Sequence, residues 1–283
     1  FPKAIGGNKA RMLQYILYPL VTNKVDILLT AGGPCSNFNC ATALMCAELG
    51  IHMKLVSYTD NLSEYENSLS YYLCRLAGVE FVFCKKNEVS SIIQDTISDM
   101  LNKKNKFYYL YGGGKSLEGV YAYYDAIKEL RVQYEGEINE LYIACGTGTT
   151  LTGICGGMQE FFPEAVVHAI SVARKYLDEK KVIDDNMLQL NTYLGTSYDF
   201  SNLIYHDEYI LDGYACVSCE ELKIIHECTS KQGMLIDPTY SGKAFYGMSQ
   251  ILLKKKNNKK KTVLFWNTGG IMNLLSQREE FKL

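Results

Sequence analysis

The feature that most constrains the fold is a strand-like run followed by a glycine turn, a helical pattern and a second strand-like run. Residues 25–30 are rich in β-branched and aliphatic side chains and lead directly into Gly32-Gly33. A helical pattern follows and stops at Gly50, and the second strand-like run spans 52–58. Strands joined by a helical crossover pair in parallel, with the helix on one face of the sheet. The sequence therefore predicts an α/β fold.

The same alternation continues along the chain. Helical spacing of apolar residues begins at Met12, and the stretch 174–201 carries a weaker signal for helices and a variable connection. Further strands are predicted at 80–84, 107–111, 140–144, 168–172 and 262–266, and a segment at 205–214 is expected to end near Gly213. Further helices are predicted at 65–77, 89–102, 117–130, after 150, at 219–231 and up to about 253.

Composition excludes several classes of partner. The net charge of the 283 residues is −2, without an acidic or basic tail, so nothing indicates a nucleic-acid partner. No apolar run reaches the ~18 residues of a membrane-spanning helix. The ten cysteines are scattered through apolar segments, which is typical of reduced core residues in a cytoplasmic protein. The pair Cys216 and Cys219 lacks partners at metal-ligand spacing, so no metal site is predicted.

Two further expectations concern the start of the sequence and a lysine-rich stretch near its end. Because the sequence starts at Phe1 rather than methionine, we expect an N-terminal segment to precede it. The lysine-rich stretch 254–261 is predicted to be a charged surface loop without a binding role.

A lysine stands in an unusual place near the start of the chain. Lys9 follows Gly6-Gly7-Asn8 and opens the first amphipathic run. It is therefore expected where a loop enters a helix, near the positive end of the helix dipole. Such a position lowers the pKa of an amine and makes it a usable nucleophile, although a solvated lysine in a turn fits the same hexapeptide.

Four predicted strand ends carry glycine with hydroxyl or amide residues: 32–37, 112–114, 146–150 and 268–270. Ligands of open α/β sheets bind beyond the carboxyl ends of the strands. The third of these loops reads Gly146-Thr147-Gly148-Thr149-Thr150 and has the donors of an anion cradle at a helix start. It is neither a Walker loop nor a dinucleotide fingerprint, and a close-packed strand–helix turn remains the alternative.

Three other polar positions are candidates for chemistry. Ser36-Asn37 offers a hydroxyl and an amide at a helix start, where Ser36 also fits an N-cap. Tyr240 lies in a turn between Pro238 and Gly242 that would present its phenol from a fixed backbone. A lysine nucleophile, a phosphate cradle and the lack of a metal set together suggest pyridoxal 5′-phosphate (PLP) as the cofactor.

The ordered set of motifs resembles a known family. It is similar to the 1-aminocyclopropane-1-carboxylate (ACC) deaminase and D-cysteine desulfhydrase family, PLP enzymes of the tryptophan-synthase-β fold type (fold type II). The resemblance covers nearly the whole chain, least well at 174–212. The matching motifs are Gly6-Gly7-Asn8-Lys9-x-Arg11-x-Leu13-x-Tyr15, Gly32-Gly33-x-x-Ser36-Asn37, Gly112-Gly113, Gly119, Tyr121, Gly146-x-Gly148-x-Thr150, Gly213-Tyr214, Asp237-Pro238-x-Tyr240-x-Gly242-Lys243 and Thr268-Gly269-Gly270.

The resemblance implies how the cofactor is held. Lys9 would carry PLP as a Schiff base and later move a proton. Asn37 would bond the ring hydroxyl oxygen, residues 146–150 would hold the phosphate, and Thr268 would face the pyridine nitrogen. The resemblance also implies two domains, each with a mainly parallel twisted sheet flanked by helices. The smaller would span 10–115 and the larger 1–9 with 116–283, with PLP between them.

The resemblance also implies roles toward a small amino-acid substrate. Ser36 would lie near the substrate carboxylate or act in proton transfer. Tyr240 and Tyr214 would flank the substrate, one of them as an acid–base or orienting group. ACC deaminases typically carry a glutamate directly after the tyrosine matched by Tyr240, and this chain has Ser241. That departure favours α,β-elimination like that of D-cysteine desulfhydrase, which releases pyruvate, ammonia and the leaving group.

The alternatives are ACC deamination, β-replacement or racemisation on the same scaffold, and a PLP-binding pseudoenzyme. Departures from the family pattern at Pro34-Cys35, Phe38-Asn39 and Gly114-Lys115 surround the expected substrate pocket and leave the substrate open. The family resemblance further implies a homodimer.

Overall fold

The computed structural model describes residues 7–255 and 260–281. Its residue contacts divide the chain into two compact units, the first ending at Ser116 and the second beginning at Leu117. The prediction that residues 1–9 belong with the second domain stays a prediction. Residues 1–6, which include Gly6 of the first motif, lie outside the described residues.

The first unit is a four-stranded parallel sheet with strand order β3-β2-β1-β4. Its core is aliphatic and is built around Leu29, Val56 and Met100. The elements are α1 Asn8–Thr22, β1 Ile27–Gly32, α2 Asn37–Leu49, β2 His52–Tyr58, α3 Ser63–Asn67, α4 Leu69–Leu76, β3 Glu80–Cys84, α5 Val89–Asn102 and β4 Phe107–Tyr109.

The second unit is also a four-stranded parallel sheet, with strand order β7-β6-β5-β8. Every residue of its central strand β5 is buried, as expected for a parallel strand covered on both faces. The elements are α6 Leu117–Gln133, β5 Glu140–Cys145, α7 Thr149–Phe161, β6 Val166–Ser171, α8 Tyr176–Leu194, β7 Leu203–His206, α9 Cys219–Gln232, α10 Ser241–Lys254, β8 Val263–Trp266 and α11 Ile271–Ser276.

The prediction of an α/β fold with two mainly parallel sheets is confirmed. One predicted helix, 65–77, is wrong in its continuity, because Ser68 separates α3 from α4. Ser68 is extended, with φ −86° and ψ 114°, and its hydroxyl accepts a hydrogen bond from Tyr71 N at 3.0 Å. It therefore ends one helix and caps the next.

The segment 205–214, expected to end near Gly213, contains only the end of a strand. Only Leu203–His206 pairs with β6, and residues 207–218 form an irregular loop before α9. In this loop Leu211, Gly213 and Ala215 have positive φ, which interrupts an extended strand.

No helix in the described part of the chain is long and apolar enough to cross a membrane. Within the same residues, no three His, Cys, Asp or Glu side chains are grouped to hold a metal ion. All ten cysteines are unpaired.

Candidate active site

Lys9 is the second residue of α1 and is half-buried. The N-cap residue Gly7 has φ 85°, a conformation that favours glycine. The face of α1 that includes Met12 and Ile16 is buried. Packing of this face therefore fixes the orientation of the helix and the position of its first turn. Lys9 thus lies where the sequence predicted, at the entrance of a helix and near its positive end.

Ser36 and Asn37 form the start of α2. The Ser36 hydroxyl accepts a hydrogen bond from Asn39 N at 3.2 Å and is therefore an N-cap. Asn37 follows as the first residue of α2, and its side-chain Oδ1 is buried without a hydrogen-bond partner among the described residues. A buried amide oxygen without a partner is unfavourable, so this atom is suited to a ligand that donates to it.

Neighbouring side chains hold the loop before Ser36 on two sides. A Cβ on Gly32 would lie 2.5 Å from the side-chain nitrogen of Asn39, so glycine is required for Asn39 to pack there. Asn39 Nδ2 donates to Gly33 O at 3.3 Å, and Ser68 Oγ donates to Pro34 O at 2.7 Å. The loop that carries Ser36 is thus shaped by neutral hydrogen bonds and by one close approach.

The start of α1, the start of α2 and the glycine turn after β4 meet in the first unit. Gly114 has φ 79°, and a Cβ there would lie 2.4 Å from Met12 Sδ and 2.9 Å from Phe38 Cε2. Met12 is about one helical turn from Lys9, and Phe38 follows Asn37 directly in the sequence. Lys9 and Asn37, two of the predicted cofactor residues, are therefore carried by helices α1 and α2, which pack against one another.

In the second unit, the loop 146–150 leaves β5 and enters α7. Gly148 is the N-cap of α7 with φ 73°, and a Cβ there would lie 2.5 Å from Ile183 Cγ2. The first N–H groups of a helix have no partners within the helix and favour an anion. Thr149 is fully buried, and within the described residues its hydroxyl has no hydrogen-bond partner. Both features suit a cradle for a phosphate.

The alternative of a close-packed turn is also realised, one turn further along α7. A Cβ on Gly153 would lie 2.1 Å from Val120 O, and a Cβ on Gly157 would lie 2.7 Å from Ile127 Cβ. The small residues of α7 therefore allow α6 to approach closely. These later glycines serve close helix packing, whereas the buried Thr149 hydroxyl has no hydrogen-bond partner among the described residues.

Tyr214 and Tyr240 are brought together although 26 residues separate them in the sequence. Their hydroxyl oxygens are 2.6 Å apart, and their rings meet edge to face. The Tyr240 ring also lies beside the loop 146–150, since its Cε1 would be 3.4 Å from a Cβ on Gly146. Desolvation, together with the neighbouring phenol of Tyr214, raises the pKa of Tyr240 well above its ordinary value. Tyr240 therefore stays neutral and can donate its proton.

A buried carboxylate fixes the turn that presents Tyr240. Asp237 is fully buried and accepts hydrogen bonds from Tyr240 N at 3.0 Å and from Ser241 N at 2.8 Å. Burial raises the pKa of Asp237, which the hydrogen bonds from Ser241 oppose. The Ser241 hydroxyl lies 2.7 Å from Asp237 Oδ1 and 2.9 Å from Gly269 O, so it ties this turn to the one after β8.

Thr268 lies in that second turn. Its side chain is buried, and its hydroxyl has no hydrogen-bond partner in the part of the chain that the structure describes. The Ser241 hydroxyl, by contrast, is engaged with the protein on both sides. Of the two hydroxyls near this turn, that of Thr268 is the one open to a ligand.

Sequence reasoning gave no role to the buried charges that build this region. Asp237 and Lys243 belong to a motif of the family resemblance, and Glu221 belongs to none of its motifs. All three are almost inaccessible to solvent. The signal for Asp237 was present, because Asp before Pro in a turn commonly bonds the backbone that follows. No local signal identified the partners of Lys243, which are distant in the sequence.

Comparisons with known proteins place the chain in a family. The profile of the family described as pyridoxal-phosphate dependent enzyme matches residues 2–269. D-cysteine desulfhydrase of Yersinia enterocolitica is 27% identical over 275 residues, which cover 95% of this chain and 83% of the relative. The bifunctional D-cysteine desulfhydrase/1-aminocyclopropane-1-carboxylate deaminase, mitochondrial, of Arabidopsis thaliana is 28% identical over 290 residues, covering 98% and 71%.

Solved structures agree with that match. A crystal structure described as an ACC deaminase homologue has a TM-score of 0.86 and 27% identity, covering 97% of this chain and 83% of the other. O-ureido-L-serine synthase, at 16% identity and a TM-score of 0.65, shares the fold over 95% of this chain and 82% of its own. The fold is that of type II PLP enzymes. The chain belongs to the pyridoxal-phosphate dependent enzyme family, and PLP is its cofactor.

Proposed function

We propose that this enzyme is an amino-acid lyase that performs α,β-elimination on a small amino acid and releases pyruvate, ammonia and the β leaving group. D-cysteine is the first substrate to test, because relatives that cover most of this chain carry the name D-cysteine desulfhydrase. The observation that carries the proposal is the contact between the hydroxyls of Tyr214 and Tyr240 beside the loop 146–150.

The unpartnered polar atoms of the described residues fit the groups of PLP. The Thr149 hydroxyl and the first N–H groups of α7 suit the phosphate. Asn37 Oδ1 suits the ring hydroxyl, and the Thr268 hydroxyl suits the pyridine nitrogen. Each of these buried atoms lacks a hydrogen bond that a ligand would supply. PLP, when bound, supplies an electron sink for the carbanion at the substrate α-carbon.

Lys9 is proposed to hold PLP covalently and, once the substrate has replaced it, to take the proton from the substrate α-carbon. Its place at the start of α1 supports this role, since the positive end of a helix favours the unprotonated amine. Ser36 is proposed to lie at the substrate carboxylate, where its capping hydrogen bond holds its side chain in one orientation.

The two tyrosines are proposed to handle the proton of the leaving group. When the bond to the β-substituent breaks, its electrons leave with the substituent, which then needs a proton. Tyr240, kept neutral by its raised pKa, can give that proton, and the Tyr214 hydroxyl at 2.6 Å can orient the Tyr240 hydroxyl. The released aminoacrylate is hydrolysed by water to pyruvate and ammonia.

Ser241, in place of the glutamate typical of ACC deaminases, supports elimination over ring opening of ACC. A neutral hydroxyl such as that of Thr268 cannot keep the pyridine nitrogen protonated as a carboxylate would, so the electron sink is weaker. A weak sink suits prompt loss of a β-substituent. The second candidate is ACC deamination, which is supported by the names of the Arabidopsis relative and of the structural neighbour.

The test is a panel of D- and L-amino acids and ACC given to the PLP-loaded enzyme. Pyruvate from D-cysteine or another β-substituted amino acid supports elimination, and 2-oxobutyrate from ACC supports the second candidate. A condensed product on adding a thiol, or an inverted amino acid without an oxo acid, would replace elimination by β-replacement or racemisation. No turnover of any member would indicate a PLP-binding pseudoenzyme and contradict the proposal.

A homodimer and a cytoplasmic location are also proposed. The homodimer rests on the family resemblance, and light scattering of the purified protein tests it, with a monomer as the contrary result. The cytoplasmic location rests on the ten unpaired cysteines, and cell fractionation tests it.

A further inference from the structure

The loop that carries Tyr214 has a backbone that needs support. Residues 207–218 (the Tyr214 loop) connect β7 to α9 without regular secondary structure. Leu211 and Ala215 have φ 60° and 64°, and Gly213 has φ 141°. Such conformations are unfavourable for residues with a side chain and persist only where the surroundings impose them.

Lys243 supplies that support from inside the second unit. It is fully buried on α10. Its ammonium group donates to Tyr209 O at 3.0 Å, to Ile210 O at 3.4 Å and to Cys216 O at 2.9 Å. The acceptors lie on both sides of Tyr214, so one side chain joins the two ends of the loop. An ammonium has three N–H donors, and the three carbonyls match that number.

Glu221 pairs with this ammonium and anchors the far end of the loop. Its Oε1 lies 3.6 Å from Lys243 Nζ, and both side chains are buried. Its other oxygen accepts from Ser218 N at 2.6 Å in a capping box at the start of α9. The Tyr214 loop is therefore held by a carboxylate where it enters α9 and by a lysine on both sides of Tyr214.

Tyr240 and Lys243 lie on the same helix. Tyr240 is the N-cap of α10, and Lys243 is three residues later, close to one helical turn. The helix that presents one phenol thus also holds the loop that presents the other. A change in the loop would alter the 2.6 Å contact between the two hydroxyls without touching Tyr240.

We propose that Lys243 is a positioning residue for the Tyr214–Tyr240 pair. By binding three carbonyls of the Tyr214 loop, it keeps the Tyr214 hydroxyl within hydrogen-bond distance of Tyr240. Its effect on turnover rests on the proposed function, in which the pair serves the leaving group. Its effect on the loop does not depend on that function.

The first test measures the loop alone by hydrogen–deuterium exchange of the purified protein. Lys243→Met removes the donors at similar volume, and exchange within 207–218 should become at least tenfold faster, while β5 and β6 stay protected. Lys231→Met is the matched control, because Lys231 is an exposed lysine on α9 that pairs with Glu227. Unchanged exchange of the loop in folded Lys243→Met would overturn the proposal.

A second variant keeps the test valid if Lys243→Met does not fold. Lys243→Met combined with Glu221→Met removes both members of the buried pair, a change that proteins often tolerate. The carbonyls of Tyr209 and Cys216 still lack their donor, so the loop should still exchange faster than in the parent. Slow exchange of the loop in this double variant would contradict the proposal.

The third test asks whether Lys243 acts through Tyr214. With the substrate found in the amino-acid panel, Lys243→Met should lower kcat about as much as Tyr214→Phe and change KM little. The combined variant should be no slower than the slower single variant, because both changes remove the same contact. Losses of kcat that multiply would overturn the proposal. If the parent turns over no amino acid, the proposed function fails, and the exchange result still decides the role of Lys243.

Discussion

The two units have the same strand order but stabilise their loops by different means. In each sheet the first strand lies between the second and the fourth, and the third is at the edge. Among the described residues, the acidic and lysine side chains that are buried all belong to the second unit: Glu140, Glu179, Glu221, Asp237 and Lys243. The buried polar side chains of the first unit are neutral, such as Asn39 and Ser68.

The same strand order is thus combined with loops supported by buried charged side chains in one unit and by neutral side chains in the other. A buried charge without its partner is strongly unfavourable, so loops built on Asp237 or Lys243 have one geometry or fail to form. Loops built on Ser68 and Asn39 lose only the modest free energy of a neutral hydrogen bond or cap. The second unit should therefore respond more strongly to single substitutions and to pH.

The largest expected effect is that of Asp237→Ala. The substitution leaves the N–H groups of Thr239, Tyr240 and Ser241 without their acceptor inside the protein. The free energy of unfolding should fall by roughly 3–5 kcal/mol, because several buried donors are left unpaired at about 1–3 kcal/mol each. Urea unfolding measures it, with the exposed Asp184→Ala as control, for which a change within about 0.5 kcal/mol is expected.

The second prediction concerns a charged network at the amino end of β5. Glu140 is buried and lies 2.7 Å from both Lys255 Nζ and Lys261 Nζ. Burial opposes its ionisation, but hydrogen bonds from these lysines and from Tyr142 outweigh burial and lower the pKa of Glu140 to about 2. The Tyr142 ring stacks on His168, whose own ring nitrogen Nε2 lies 3.7 Å from Glu140.

His168 should make stability depend on pH. Burial, helped by Lys255 and His206, lowers the pKa of His168 to about 4 from its ordinary 6.5. Between these values the unfolded chain binds the proton and the folded protein does not, so the free energy of unfolding falls as pH falls from 6.5 to 4. The loss should reach about 3 kcal/mol, at 1.36 kcal/mol per pKa unit.

Urea unfolding at several pH values tests this dependence. His168→Gln should flatten the curve between pH 6.5 and 4, whereas the exposed His226→Gln should leave its slope unchanged. Equal slopes in the parent and in His168→Gln would show that the histidine does not carry the effect, and the second unit would then be no more sensitive to pH than the first.

The smallest expected effect is that of Ser68→Ala in the first unit. The substitution removes the cap of α4 and the hydrogen bond to Pro34 O. The free energy of unfolding should fall by about 1–2 kcal/mol, as for other lost N-caps. A loss as large as that of Asp237→Ala would remove the contrast between neutral and charged supports.

The sequence predicted the repeating pattern of the fold and most of the loops that carry the candidate residues. Apolar spacing and glycine turns are local signals, so a single sequence predicts β1 and β5 to within two residues of their ends at Gly32 and Cys145. The break at Ser68 could not, because its hydroxyl binds Pro34, 34 residues away. Local pattern does not reveal such tertiary contacts.

Long-range contacts also explain the other differences. The stretch 254–261 is predicted to be a charged surface loop, and Lys255 and Lys261 are exposed. What the sequence does not reveal is that their ammonium groups bind Glu140, more than a hundred residues earlier. Residues 256–259 lie outside the described residues. The contact between Tyr214 and Tyr240 likewise depends on tertiary structure, and only the resemblance named both residues in advance.

The most direct test of the central claim is to find the residue that holds PLP. The PLP-loaded protein is reduced with borohydride, digested and mapped by mass spectrometry. The account predicts a phosphopyridoxyl group on Lys9, absent in Lys9→Ala and retained when the exposed Lys24 is replaced by alanine. A label on another lysine, or no label in the reduced parent protein, would contradict it.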